Sequence, residues 1–283
     1  MRWKPRHSAG ADVDKRYIDL EDGQVHCRIW AAEKRPQQPD LVCLHAVPYS
    51  GLHFATIAPL LAVGRRVICP DYPGYGGSDP PARGHSVEAY ASTMLQCLDR
   101  LPASATVDLL GFHTGCLVGP EMALQAEGRV RRLVLIDVPC FDPDQRQSML
   151  DKTAQPPAYD ADPQSLAGAW QTNVASKLDV MDMNRCLELL AEQLRPGTRA
   201  HAGFGAAFSY ASEERLARVG QPARVIATAS MLAGPSRRAA EILGAGTLEE
   251  LPELLAPALD RGAKELASAA REFLDAQAES LRT

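Results

Sequence analysis

The sequence predicts an α/β fold: a mostly parallel central sheet flanked by helices, interrupted by one helical insertion. Three observations carry that reading. Strand-like and helix-like segments alternate along the first half of the chain, the order that strand–helix–strand units impose. The segment DLVCLHA at 40–46 is an apolar run typical of a buried central strand. Roughly seventy residues after Cys140 hold no clear strand, far more than an ordinary connection.

Taken in order, YIDLED (17–22) and QVHCRIWA (24–31) read as strands, followed by DLVCLHA. A helix is expected around FATIAPLLAV (54–63), then a strand over RRVICPDY (65–72) and a Gly/Pro-rich loop, PGYGGSDPPARG (73–84). Ser86 opens a helix over 86–101 with Glu88 in its first turn. TVDLLGFH (106–113) is a strand, Thr114 to about Glu127 a helix, and VRRLVLIDV (130–138) a strand that stops at Pro139. From Cys140 to about Glu214 the rhythm breaks. After a polar stretch, DVMDMNRCLELLAEQL (179–194) reads as helix, with Val180, Met183, Leu187, Leu190 and Leu194 near one face. The strand ARVIATA (223–229), the helix SRRAAEIL (236–243), the short strand TLEELP (247–252) and the helix AKELASAAREFLDA (263–276) complete the chain. The implied organisation is a core of residues 1–140 and 215–283 carrying a helical lid at 141–214, since insertions at strand ends commonly cover pockets.

Composition excludes several functions. The 283 residues carry 30 Lys plus Arg against 35 Asp plus Glu, a net charge of −5, where a nucleic-acid binder needs a basic stripe. Aromatics at 6% are too few for a base-stacking platform. No apolar run approaches the roughly 18 residues that span a bilayer, and MRWKPRHSAGADVDKR has no apolar signal-peptide region. A cytoplasmic protein with a small-molecule substrate is expected, with no nucleic-acid or membrane partner; homodimerisation through the lid or last helix stays open. The seven cysteines follow no metal or disulfide spacing and read as reduced thiols. No G-x-G-x-x-G follows a strand and no His-rich ligand spacing occurs, so neither cofactor nor metal is expected.

Three motifs, in order, carry chemistry. LHAVPYSG follows the third strand, DYPGYGGSDPP follows the fourth, and LLGFHTGC joins a strand to a helix. Together they resemble the α/β-hydrolase superfamily over nearly the whole chain. The first stands where that family has its His-Gly-x-Pro oxyanion loop, the second matches its Asp-x-Pro-Gly-x-Gly-x-Ser loop, and the third occupies its nucleophile elbow. The elbow is a strained turn that demands small residues two before and two after its centre, here Gly111 and Gly115. The residue they frame is His113. Centring instead on Thr114 or Cys116 puts Phe112 or Val118 where a small residue belongs. The resemblance places the family's acid after ARVIATA, where this chain reads Ala229-Ser230-Met231-Leu232. It places the catalytic His in ELPELLAPALD, where Ala256 is the best match.

The ordinary acyl-serine mechanism therefore lacks its members. His113 becomes the leading catalytic candidate, with Asp137 at the end of the neighbouring strand as its orienting acid or as a strand-end cap. By resemblance, the oxyanion amides come from Thr114 and from Val47 or Ala46, while His45 is structural and bonds the loop backbone. Asp71 is expected to pin its loop through backbone amides. Cys140, Trp170 and His201 are pocket candidates; for His201 a lid-packing role stays equally open. His26 is expected to face solvent or a sheet edge, and His53 and His85 to be solvated. Two functions follow: His113-centred acid–base chemistry on a small carbonyl or ester compound (hydrolysis, lyase or isomerase type), or a catalytically inactive relative that binds an apolar small molecule. An unperturbed imidazole would give the first a pH profile bending at roughly 6.5.

Overall fold

A computed structural model describes residues 13–32, 36–157 and 163–276. The strands are β1 (Val13–Leu20), β2 (Gly23–Trp30), β3 (Asp40–Leu44), β4 (Val67–Pro70), β5 (Val107–Phe112), β6 (Val130–Ile136), β7 (Ala223–Thr228) and β8 (Gly246–Leu251). They form one sheet in the order β1-β2-β4-β3-β5-β6-β7-β8. β1–β2 and β2–β4 pair antiparallel, and every pair from β4–β3 onward is parallel. The helices are α1 (Ala58–Leu61), α2 (Val87–Arg100), α3 (Gly115–Gln125), α4 (Pro143–Thr153), α5 (Ala167–Asn173), α6 (Met183–Leu194), α7 (His201–Ser209), α8 (Ser212–Leu216), α9 (Ala233–Ile242), α10 (Ala258–Arg261) and α11 (Ala263–Asp275).

The central strands bury both faces because their side chains alternate between two apolar layers. From β3, Val42 and Leu44 join one core with Met94 and Leu98 of α2, Leu117 of α3 and Ala239 of α9. Leu41 and Cys43 join the other, with Leu61 of α1, Leu259 of α10 and Leu266 and Phe273 of α11. Ser86 caps α2 as its sequence position implies, its side chain accepting from the Ala89 N–H at 3.0 Å. All seven cysteines are unpaired and buried.

Two elements differ from the sequence reading. The helix expected over 54–63 is a 3₁₀ turn, Gly51–Phe54, followed by the single turn of α1. Ser50 caps the first piece, and Pro59 sits at the start of the second, where a residue without an N–H is tolerated. In α6 the buried residues are Cys186, Leu189 and Glu192, while Met183 and Leu187 are exposed and Val180 precedes the helix. The apolar stripe was expected about one position away from the side that packs. Between β6 and β7 the described residues contain helices and turns and no strand. One end of this insertion is fastened to the elbow helix: Glu121 of α3 accepts from Tyr210 at 2.7 Å and from Arg215 of α8 at 2.6 Å. Residues 1–12, which include most of the basic N-terminal segment, lie outside the described residues. No helix among the described residues is long and apolar enough to cross a membrane.

Candidate active site

The turn from β5 into α3 holds His113 at φ 50, and its N–H donates to the Ile136 carbonyl of β6 at 3.1 Å. Left-handed backbone costs a non-glycine residue of order 1 kcal/mol or more and persists only where the surroundings impose it. The flanking glycines show what imposes it. A Cβ on Gly111 would lie 2.5 Å from the Gly115 carbonyl, and one on Gly115 would lie 1.9 Å from the Leu44 carbonyl oxygen. The start of α3 thus rides directly on the tip of β3. Among the described residues one other non-glycine has positive φ: Asp137, at 55°, immediately after β6. The two backbone-strained residues are the two catalytic candidates, on adjacent strand tips.

His113 Nε2 lies 4.0 Å from Asp137 Oδ2, within ion-pair range and beyond hydrogen-bond length. The Asp137 carboxylate is instead taken by Thr228 at the tip of β7. The Thr228 N–H donates to Oδ1 at 2.9 Å and its hydroxyl donates to Oδ2 at 2.7 Å. The His113 side chain keeps 40% of its surface accessible. Protein nevertheless encloses it: desolvation lowers its pKa to about 4, with Asp137 pulling upward. The imidazole is neutral at pH 7, and its ring makes no hydrogen bond among the described residues.

His53 was expected in solvent and is not there. Its ring packs 4.5 Å from that of Tyr49 and 5.2 Å from Phe112, whose other neighbour at 4.1 Å is His113. Its Nδ1 is buried without a partner. Burial, then the charge of Arg185, holds its pKa well below the ordinary imidazole value. Arg185 also donates to the His53 carbonyl at 3.1 Å and to Asp260 at 2.9 Å, tying α6 and α10 to this turn. Periodicity gives no signal for such a residue; its proximity to the elbow arises from the fold.

On the oxyanion-loop side, His45 is fully buried. Its Nδ1–H donates to the Ala46 carbonyl at 2.9 Å and its Nε2 accepts from the Tyr72 N–H at 2.9 Å. Those partners fix the tautomer, and burial pushes its pKa down to about 4 against the pull of Asp71. Asp71 accepts from the Gly51 N–H at 2.7 Å, the Gly77 N–H at 2.9 Å, His26 Nδ1 at 2.8 Å and Arg28 at 3.2 Å. Burial alone would raise its pKa; His26 and Arg28 hold it below the usual carboxylate range. His26 is therefore a buried partner of Asp71, not an edge residue. The sequence reading missed this because the partners stand 45 positions apart. His85 is likewise half-buried, against the Tyr90 hydroxyl at 2.5 Å. The backbone N–H groups of Ala46, Val47 and Thr114 donate to no acceptor among the described residues.

The pocket candidates disperse. Cys140 is buried beside Ser212 of α8, and burial raises its thiol pKa to about 11, so it is no nucleophile for this site. Trp170 is 45% exposed on α5. His201 Nδ1–H donates to the Thr198 carbonyl at 2.8 Å, and the residue lines a cavity of about 210 Å³ with Pro48 and Phe204. Beyond β7, Met231 stands 80% exposed where a carboxylate would be sought, and Ala256 lies in the exposed loop before α10. Among the described residues no three His, Cys, Asp or Glu side chains converge on a metal-sized point.

Residues 39–160 match the family model for the alpha/beta hydrolase fold. The chain is 39% identical over 105 residues to a pimeloyl-[acyl-carrier protein] methyl ester esterase of Aromatoleum aromaticum, covering 37% of this chain and 39% of that protein. It is 30% identical over 130 residues to a fluoroacetate dehalogenase of Burkholderia sp, covering 44% and 41%. The match thus spans well under half the length of these curated relatives. Among solved structures, a hydrolase from Pseudomonas aeruginosa PA01 superposes with TM-score 0.76 at 22% identity, over 93% of this chain and 99% of that one. The enol-lactonase from Burkholderia xenovorans LB400 gives 0.73 at 18% identity, over 92% and 100%. These structures share the fold. By strand order, loop motifs, elbow geometry and matched segment, the chain has the α/β-hydrolase fold.

Proposed function

We propose that the chain acts on a small carbonyl or ester compound, with His113 moving the proton and no covalent acyl-enzyme formed. The observation that carries this reading is the state of His113: an imidazole held at φ 50, with 40% of its side-chain surface accessible, and neutral at pH 7. A neutral imidazole with a free ring nitrogen is a general base. It takes a proton from a carbon beside the carbonyl, or from a water whose hydroxide then adds to the carbonyl carbon. The unpaired N–H groups of Thr114 and of Val47 or Ala46 are in the family's position to receive the developing oxyanion. The imidazolium then returns its proton to the product or to the leaving oxygen. Asp137, 4.0 Å away, stabilises the imidazolium while it lasts. The absence of a carboxylate at 229–232 and of a histidine in ELPELLAPALD supports a route other than the acyl-serine one. The helical segment 141–214 serves as the lid, and the reaction runs in the cytoplasm without a cofactor.

The test is turnover of a panel of p-nitrophenyl esters, enol esters and ketones by the wild type and by His113→Ala. His113→Ala is expected to lower kcat/KM by about 10²–10⁴-fold. The wild-type acid limb is expected at about 4, the value burial imposes, not near 6.5. Rates equal in the two proteins across the panel would overturn the reading and leave ligand binding without turnover.

A further inference from the structure

We propose that Thr228 is a positioning residue that holds the Asp137 carboxylate off His113, so that the elbow imidazole rests unpaired. The proposal rests on the His113-centred reading above, but its geometry stands independently. Asp137 Oδ2 has one neighbour on each side. The Thr228 hydroxyl donates to it at 2.7 Å, while His113 Nε2 stops at 4.0 Å. Oδ1 is occupied as well, by the Thr228 N–H at 2.9 Å. One residue therefore grips both oxygens, through a backbone and a side-chain donor that the tip of β7 delivers together.

The backbone keeps the carboxylate in that grip. The Asp137 N–H donates to the Ile226 carbonyl at 2.9 Å, and the next N–H, of Val138, donates to Ser236 Oγ at 2.8 Å. The residue holds this place with φ at 55°, left-handed backbone for a non-glycine. A carboxylate without the Thr228 donor would close on the imidazole 4.0 Å away, because an ionised acceptor makes a strong hydrogen bond to either donor. Thr228 makes that choice costly: closing on His113 would surrender a donor that is 97% buried. The charged and titratable groups facing His113 are few. Asp137 meets it from β6, and across Phe112 stands the neutral His53 of the turn after β3. Arg185 and Lys177 act on His53 from the helical insertion. No other donor is seen on the Asp137 carboxylate among the described residues, so the hydroxyl of Thr228 decides whether the pair engages.

The experiment is an NMR titration of the His113 imidazole in the wild type, Thr228→Val and Thr228→Ser, with kcat/KM pH profiles alongside. Valine keeps the shape and removes the donor, and Oδ2 is then free to accept from Nε2. The His113 midpoint is expected to rise by about one to two units in Thr228→Val, the effect of an opposite charge at contact. The acid limb of the profile moves with it, and Thr228→Ser behaves as the wild type. An unmoved midpoint in folded Thr228→Val, or an equal rise in Thr228→Ser, overturns the proposal. Should the valine variant fail to fold, Asp137→Asn decides. A fall of less than about half a unit supports a carboxylate held off, and a fall beyond about one unit means that it was already engaged. The midpoint is read without substrate. It therefore stands or falls separately from the activity of His113→Ala, which tests the function.

Discussion

The tips of β3 and β4 and the tips of β6 and β7 stand at the same end of the sheet and are built to different standards. On the first side the Asp71 carboxylate and the His45 ring are fully engaged: Asp71 receives four donors and both His45 nitrogens are paired. On the second side Asp137 serves Thr228 alone, the His113 ring bonds nothing described, and Met231 projects into solvent. The difference separates two tasks. Placing backbone N–H groups to within a fraction of an ångström takes a rigid, satisfied network. Moving a proton takes a side chain whose nitrogens are uncommitted.

The largest expected effect would break the rigid side. Asp71→Ala strips the partner from a half-buried Arg28, a buried His26 and two backbone amides, and should cost about 3–5 kcal/mol in urea unfolding. Unfolding with little change in midpoint would show that the loops hold each other without it. Acid comes next. The folded His45 titrates at about 4 against 6.5 for the free group, so below pH 6.5 the unfolded chain binds protons that the folded one refuses. Its stabilisation is complete above pH 6.5 and fades as pH falls toward 4, by about 3 kcal/mol for this one fully buried group. Asp71, with its folded pKa lowered, loses its contribution only at still lower pH. A stability profile flat from pH 7 to 4 would contradict the His45 contribution, and one flat below pH 4 the Asp71 contribution. The smallest effect sharpens the other side. His113→Gly relieves a left-handed residue and should raise stability by about 1 kcal/mol while abolishing the proposed activity, as differential scanning calorimetry and the ester panel would read.

Most of the frame was legible because it is local. Apolar runs gave β3, β5 and β6, each of which is almost wholly buried, and Ser86 announced α2. The elbow was legible for a steric reason, since only glycine tolerates the Leu44 carbonyl at the distance that Gly115 meets it. The illegible parts depend on distant partners. His26 with Asp71 and Thr228 with Asp137 join positions 45 and 91 apart, and no window of sequence contains both members. His53 reads as a polar loop residue until the fold sets it against Phe112. In α6 the helical period was right and its phase was not, because the packed side includes Glu192, a charged residue that a hydrophobic stripe leaves out.

The seat of residue 113 has a consequence for change. Its position is dictated by backbone contacts of Gly111 and Gly115, the latter against the carbonyl of Leu44. The occupant can therefore be exchanged without renegotiating the architecture beneath. The elbow is in effect a socket, in which one substitution alters what the molecule can react with and leaves the way it folds untouched.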